Sequence, residues 1–136
     1  MRSLTIILLV LITVACNTKN KSNTKKVEKM EAKKIQVIGN KFKVNFGEGF
    51  VFELNFHSET KMTWTPLQGD DKQPHTEDIT MVEIRPNVYM IYWKEESGNR
   101  IVHVEDFENE IAHTNIAIPD EEGTFYHLNG PLTLIK

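Results

Sequence analysis

From Ile35 to the C-terminus, hydrophobic and polar residues alternate in short runs, and turn-forming residues interrupt them about every ten positions. A side-chain period of two marks a strand with one buried face, and regular spacing of such runs predicts a sandwich or a barrel. "KFKVNF" (Lys41 to Phe46) places Phe42, Val44 and Phe46 on one face. "GEG" (Gly47 to Gly49) turns the chain, and "FVFELNF" aligns Phe50, Phe52, Leu54 and Phe56. "KMTWT" stops at Pro66, and "PLQGDDKQPH" reads as a polar loop. "TEDITMVEI" is the next strand and ends at Pro86-Asn87. "VYMIYWKE", β-branched and aromatic, is the strongest strand of the set. "RIVHVEDF", "IAHTNIAI" and "TFYHLNGPLTLI" complete it, with turns at "ENE" and "DEEG" and a break at Gly130-Pro131.

Strands joined by short turns pair with their sequence neighbours. The expectation is therefore an all-β domain of about eight antiparallel strands in an up-and-down barrel, with an open sandwich as the other architecture. Closure of eight strands removes exposed edges and leaves an interior wide enough for one small ligand.

One hairpin carries most of the ionisable chemistry. "ESGN" predicts a two-residue turn with Ser97 and Gly98 at its corners. Trp93 then faces Val102, Ile91 faces Val104, and Tyr89 faces Asp106. The opposite face pairs Tyr92 with His103 and Met90 with Glu105. Burial favours Tyr89, Ile91, Trp93, Val102 and Val104 inside, which leaves His103 and Glu105 on a solvated outer face. The alternative turns His103, Glu105 and Tyr92 into a polar cavity, joined by Asn115 or His113 from the next strand. Such groups among aromatics suit a polar ligand, and a carboxylate beside a His suits acid–base work.

The N-terminus changes the setting. "MRSLTIILLVLITVAC" has Arg2 before an apolar run, Leu4 to Val14, of about eleven residues. That is the length of a signal-peptide core and too short to span a bilayer comfortably. Small Ala15 precedes Cys16, the only Cys in the chain. The arrangement resembles the lipobox of bacterial lipoproteins, with Thr13 where Leu is usual. Residues 1–15 are expected to be a signal peptide and Cys16 to carry lipid such as palmitate. The protein is then anchored to a membrane of the bacterial cell envelope. "NTKNKSNTKKVEKMEAKK" holds seven Lys against Glu28 and Glu31. It is too poor in apolar residues to offset its ordering entropy, so residues 16–34 read as a lipidated Cys and a flexible tether. Residues 35–136 form the domain, with eight Lys/Arg against seventeen Asp/Glu, a net charge of 8 − 17 = −9. That balance argues against nucleic acid as a partner. Without disulfides the domain rests on its own core.

Several stretches carry a resemblance. "MTWT" (Met62 to Thr65), "EIRPNVYMIYW" (Glu83 to Trp93), "VHVEDFEN" (Val102 to Asn109), "TNI" (Thr114 to Ile116) and "GTFYHLNG" (Gly123 to Gly130) resemble the MoaF-like family. The resemblance implies a lipocalin-like, or calycin, barrel over most of residues 35–134. The family commonly has Gly after the Asn of "FEN"; here Glu110 stands there, which points to a wider turn. The family name refers to molybdenum-cofactor biosynthesis, but the chain shows no nucleotide loop, pterin motif or thiolate that would carry that role. "VYMIYWKEESG" is also similar to phenolic acid decarboxylases, which place a carboxylate and an Arg–Tyr cluster inside a comparable barrel. Their carboxylate position falls near Pro86 here.

Other chemistry is sparse. Five His are scattered without a His-x-His or His-Glu-x-x-His spacing, and no Gly-x-Ser-x-Gly is present. No metal and no other cofactor is expected. The aromatics Trp64, Trp93, Phe50, Phe52 and Phe56 read first as core. The candidate ligand-binding set is Trp64, Tyr89, Trp93, His103, Glu105 and Asn115. The expected function is an envelope lipoprotein whose barrel binds a small amphipathic or aromatic molecule. The alternatives are a lyase- or isomerase-type enzyme using His103 and Glu105 as catalytic residues, and a non-catalytic structural or partner-binding envelope domain.

The anchor is directly testable. Cys16→Ser should move the protein from the membrane fraction to the soluble fraction of lysed cells. Membrane retention of that variant through its mature domain alone would refute lipidation at Cys16.

Overall fold

The structure, a computed structural model, describes residues 33–136. The expected signal peptide, Cys16 and most of the tether lie outside the described residues. Nine strands follow in order: β1 (Lys41–Asn45), β2 (Val51–Ser58), β3 (Lys61–Pro66), β4 (His75–Asp78), β5 (Thr80–Arg85), β6 (Val88–Lys94), β7 (Arg100–Asp106), β8 (Ile111–Ala117) and β9 (Phe125–Leu134). They form one sheet in the order β4-β3-β2-β1-β9-β8-β7-β6-β5, antiparallel throughout. The two strands at the ends of that order are consecutive in sequence, with only Ile79 between them. One run of chain therefore lies on β3 as β4 and on β6 as β5, and the sheet nearly closes into a barrel. This run is the single strand expected at "TEDITMVEI". The ninth strand arises because the chain changes partner at Ile79, whose side chain is buried and whose N–H bonds the Thr60 carbonyl at 3.0 Å.

Strand β9 closes the other seam by serving two partners. Phe125–Pro131 pairs with β8, and Leu132–Leu134 pairs with β1. The chain bends between them at Gly130-Pro131. Only a residue without a side chain fits at that bend: a Cβ on Gly130 would lie 1.8 Å from the Asn45 carbonyl oxygen.

Inside, the alternation of the strands delivers Phe42, Val44, Leu54, Phe56, Met62, Ile91 and Leu132 to one buried core. Phe107 joins them from the turn after β7. Its ring packs against Phe42 (4.8 Å between centroids), Tyr89 (5.9 Å) and Phe56 (6.1 Å), and fills one end of the barrel. Asp106 builds that turn. Its Oδ1 accepts from the Glu108 and Asn109 amides, and its Oδ2 accepts from the Asn109 side chain and from Arg85 Nη2 at 2.6 Å. Burial pushes the Asp106 carboxyl up. The Asn109 bonds, Arg85 and the Glu108 amide together outweigh it and hold the carboxyl below its ordinary value. The turn is four residues wide, Phe107 to Glu110, and Glu110 adopts a left-handed φ of 55°. An L side chain in that conformation costs about 1–2 kcal/mol.

The same end is closed from outside by the N-terminal segment. Val37 is buried against the core. Asn87, at φ 63° and almost fully buried, accepts the Ile35 N–H on Oδ1 (2.8 Å) and donates from Nδ2 to the Lys33 carbonyl (3.0 Å). Its own carbonyl accepts the Phe107 N–H at 3.0 Å. The chain thus engages the barrel two residues before the boundary expected at Ile35.

Gly130→Ala tests the seam. The added methyl forces β9 away from Asn45, and a loss of about 2–3 kcal/mol is expected in urea denaturation. A variant as stable as the parent would mean that β9 and β1 do not approach this closely.

Candidate functional site

The hairpin between β6 and β7 decides which side chains reach the interior. Gly98 N–H bonds the Glu95 carbonyl (2.9 Å), Glu95 N–H bonds the Asn99 carbonyl (3.0 Å), and Gly98 has a φ of 92°. That is a three-residue loop, Glu96 to Gly98, with glycine in the left-handed position, a common alternative to the two-residue turn. The register is therefore Trp93↔Ile101, Ile91↔His103 and Tyr89↔Glu105. It differs by one residue from the expected pairing, and a one-residue slip turns every side chain of a strand to the other face. Val102 and Val104 lie half-buried on the outside, while His103 and Glu105 are buried inside. The outer-face expectation for His103 and Glu105 is corrected accordingly.

His103 Nδ1 and Glu105 Oε1 are 2.9 Å apart. Glu105 is fully buried, and its other oxygen, Oε2, has no partner. Where Nδ1 donates to the Glu105 carboxylate, a neutral imidazole leaves Nε2 with a free lone pair. Nε2 has no hydrogen-bond partner among the described residues. The imidazole lies edge-on to Trp93 (4.9 Å) and Phe46 (5.6 Å).

Above it is a cavity of about 70 Å³. Phe46, Phe52, Trp64, Trp93 and Ile101 wall it, His103 lines it, and Glu95 stands at its rim. The cavity occupies the barrel end remote from Phe107. On β6, Tyr89 packs on Phe107 and Trp93 lines the cavity, and four residues of strand span roughly 13 Å. Trp93 Nε1 and the hydroxyl of Thr114, which pairs with His103 across β7 and β8, are also buried without partners.

A cleft of about 630 Å³ adjoins the cavity and shares Trp64 and Glu95 with it. His75 stacks on Trp64 there, at 4.1 Å and 13°. Glu77, Glu95 and Glu96 line the same cleft. The Trp64 indole N–H reaches toward Glu77 without an aligned hydrogen bond. Burial pushes the Glu77 carboxyl up, and the negative Glu95 adds to the rise; Trp64 opposes it without reversing it. No Lys or Arg lines the cavity or the cleft. Among the described residues, no three His, Cys, Asp or Glu side chains converge as a metal site.

The candidate set is thus divided. Trp64, Trp93, His103 and Glu105 come together. Tyr89 faces inward at the opposite end, beside a separate cleft lined by Ile35, Val37, Met81 and Glu83. Asn115 pairs with Val102, faces outward and bonds His127 Nδ1 at 2.9 Å, so it does not join the cavity. Tyr92 and His113 are exposed on the same outer side. Arg85 is held by Asp106 and Glu108 at the rim, so no Arg–Tyr cluster of the decarboxylase kind forms inside. Phe46, Ile101, Thr114 and His75 were not among the expected site residues. Reading Gly98 as a left-handed third loop residue would have brought Ile101 inward with His103.

Comparison with known proteins agrees with this architecture. The sequence matches the MoaF-like family over residues 38–133, and the chain belongs to that family. Among solved structures it is similar to a crystal structure described as a candidate beta-lactamase from Burkholderia vietnamiensis. The TM-score is 0.65 at 19% identity, covering 76% of this chain and 100% of the other. At that identity the likeness is one of fold. No curated protein matches the sequence.

Truncations separate inner from outer positions. Glu105→Ala strands the His103 N–H in the core and should cost about 1–3 kcal/mol. Trp93→Ala should cost about 3–5 kcal/mol through lost packing. Tyr92→Ala and Asn115→Ala, on the outer face, should stay within about 0.5 kcal/mol of the parent. Thermal or urea melts provide the comparison, and a Glu105→Ala variant indistinguishable from the parent would contradict the buried dyad.

Proposed function

We propose that this protein is a lipid-anchored envelope lipoprotein whose barrel mouth binds a small amphipathic or aromatic molecule. The observation that carries the reading is the His103–Glu105 dyad at the base of an aromatic-walled cavity that shares Trp64 and Glu95 with an adjoining cleft. Buried polar atoms are normally satisfied, and roughly nine in ten have a partner. Here Trp93 Nε1, Glu105 Oε2 and Thr114 Oγ1 are unpartnered in the interior of one barrel. A bound polar head could reach His103 from the cavity. Few, well-placed polar groups among aromatic walls are the usual makeup of a small-molecule site.

Size sets the binding pose. An apolar cavity of about 150 Å³ holds a benzene ring. The cavity here has about half that volume. It suits a compact head group, while the adjoining cleft, with the Trp64–His75 stack, has room for the body of the ligand. The same dyad supports a second reading. A carboxylate-backed imidazole is the arrangement of a general base, so His103 would abstract a proton from a bound acidic C–H in a lyase or isomerase reaction.

Both tryptophans of the chain, Trp64 and Trp93, border the cavity, so ligand arrival should alter intrinsic fluorescence. The full-length protein, purified from its own cells, should release a small molecule on denaturation, seen by mass spectrometry. His103→Gln should reduce the recovered amount at least several-fold. Protein that carries nothing, and whose fluorescence ignores the small-molecule fraction of the same cells, would overturn the binding reading.

A further inference from the structure

We propose that the molecule taken by the mouth is an organic cation, bound head-first with an ammonium group at His103. This rests on the reading of the mouth as a binding site and adds the charge of its ligand. The first support is the buried dyad. Among the described residues, Glu105 has no ion-pair partner except His103. Its Oε2 is unpartnered and no described Lys or Arg forms an ion pair with it, so the dyad holds no fixed cation that would repel an ammonium group. The second support is the unpartnered Nε2 of His103, whose residue is 4% exposed and lines the cavity. Its lone pair accepts a hydrogen bond, and an ammonium group donates one.

The third support is the wall. Trp64 and Trp93 border the cavity, and indole faces attract cations by about 0.5–2 kcal/mol, most strongly when water is excluded. The fourth is the approach. Glu77, Glu95 and Glu96 line the cleft without any Lys or Arg to offset them. Burial and Glu95 work against ionisation of Glu77, and a cation in the cleft relieves that strain. An anionic head would meet carboxylates at the rim and a carboxylate behind the imidazole.

The test is a charge series on one skeleton: 2-phenylethylamine, 2-phenylethanol and phenylacetate. Each is titrated into the full-length protein in a non-ionic detergent at low salt, with calorimetry and tryptophan fluorescence as readouts. The amine should bind about tenfold tighter than the alcohol, and phenylacetate weakest of all. In a Glu77→Gln, Glu95→Gln double variant the affinity of the amine should fall by a larger factor than that of the alcohol, so that most of the amine's advantage is lost. These are rim positions, so the comparison survives even if changes at Glu105 prevent folding. Equal or tighter binding of the alcohol or of phenylacetate overturns cation selectivity and leaves the binding reading standing. Failure of all three to bind overturns both.

Discussion

The carboxyl group of Glu105 sets the terms for the interior of this barrel. It is fully enclosed, and one of its oxygens is bonded to His103 while the other has no partner. A group that costly to bury persists only where its surroundings are fixed. The neighbours meet that demand. Ala112 is small enough to pair with Glu105 across β7 and β8, and Tyr89 flanks it from β6. Ile91 pairs with His103 on one side and Thr114 on the other. The imidazole is fenced by Trp93 and Phe46, so its ring has little room to turn. Its orientation is inherited from packing, and its polarity from the carboxylate behind it.

The two ends of the barrel are built differently. One end is filled: Phe107 drops from its turn into Phe42, Phe56 and Tyr89, and Val37 covers the outside. The other end keeps the two tryptophans around unfilled space. Polar chemistry follows the same division. Arg85 and Asp106 serve the turn at the filled end, while Glu77, Glu95 and Glu96 line the cleft beside the mouth. A barrel of about a hundred residues has a limited core, and its aromatic packing is concentrated at the end plugged by Phe107.

Much of the fold was legible in the sequence because it depends on period-two alternation. Phe42 and Val44, then Leu54 and Phe56, fall on the buried face as their spacing indicates. The up-and-down order follows from short turns. Two features were hidden for different reasons. The split of "TEDITMVEI" into β4 and β5 is a tertiary event: the run changes partner at Ile79, and nothing local marks the change. The inward facing of His103 was hidden by a count of one. "ESGN" is compatible with a two- or a three-residue loop, and burial of Val102 and Val104 favoured the first. The valines instead form a half-buried outer row, and a hydrogen-bonded His–Glu pair occupies the core. Hydrophobicity ranks faces by average cost and gives no weight to a hydrogen bond between neighbours on one face.

Asn87 has a mechanical consequence. Its side chain grips the backbone at Lys33 and Ile35, and its carbonyl holds the turn that carries Phe107. Tension on the chain N-terminal to Lys33 therefore enters the domain at the filled end, through an amide clamp seated on the aromatic plug. That load would be spread into the most densely packed part of the barrel before it reached the hairpin that aims His103. The mouth lies at the barrel end away from that point of entry.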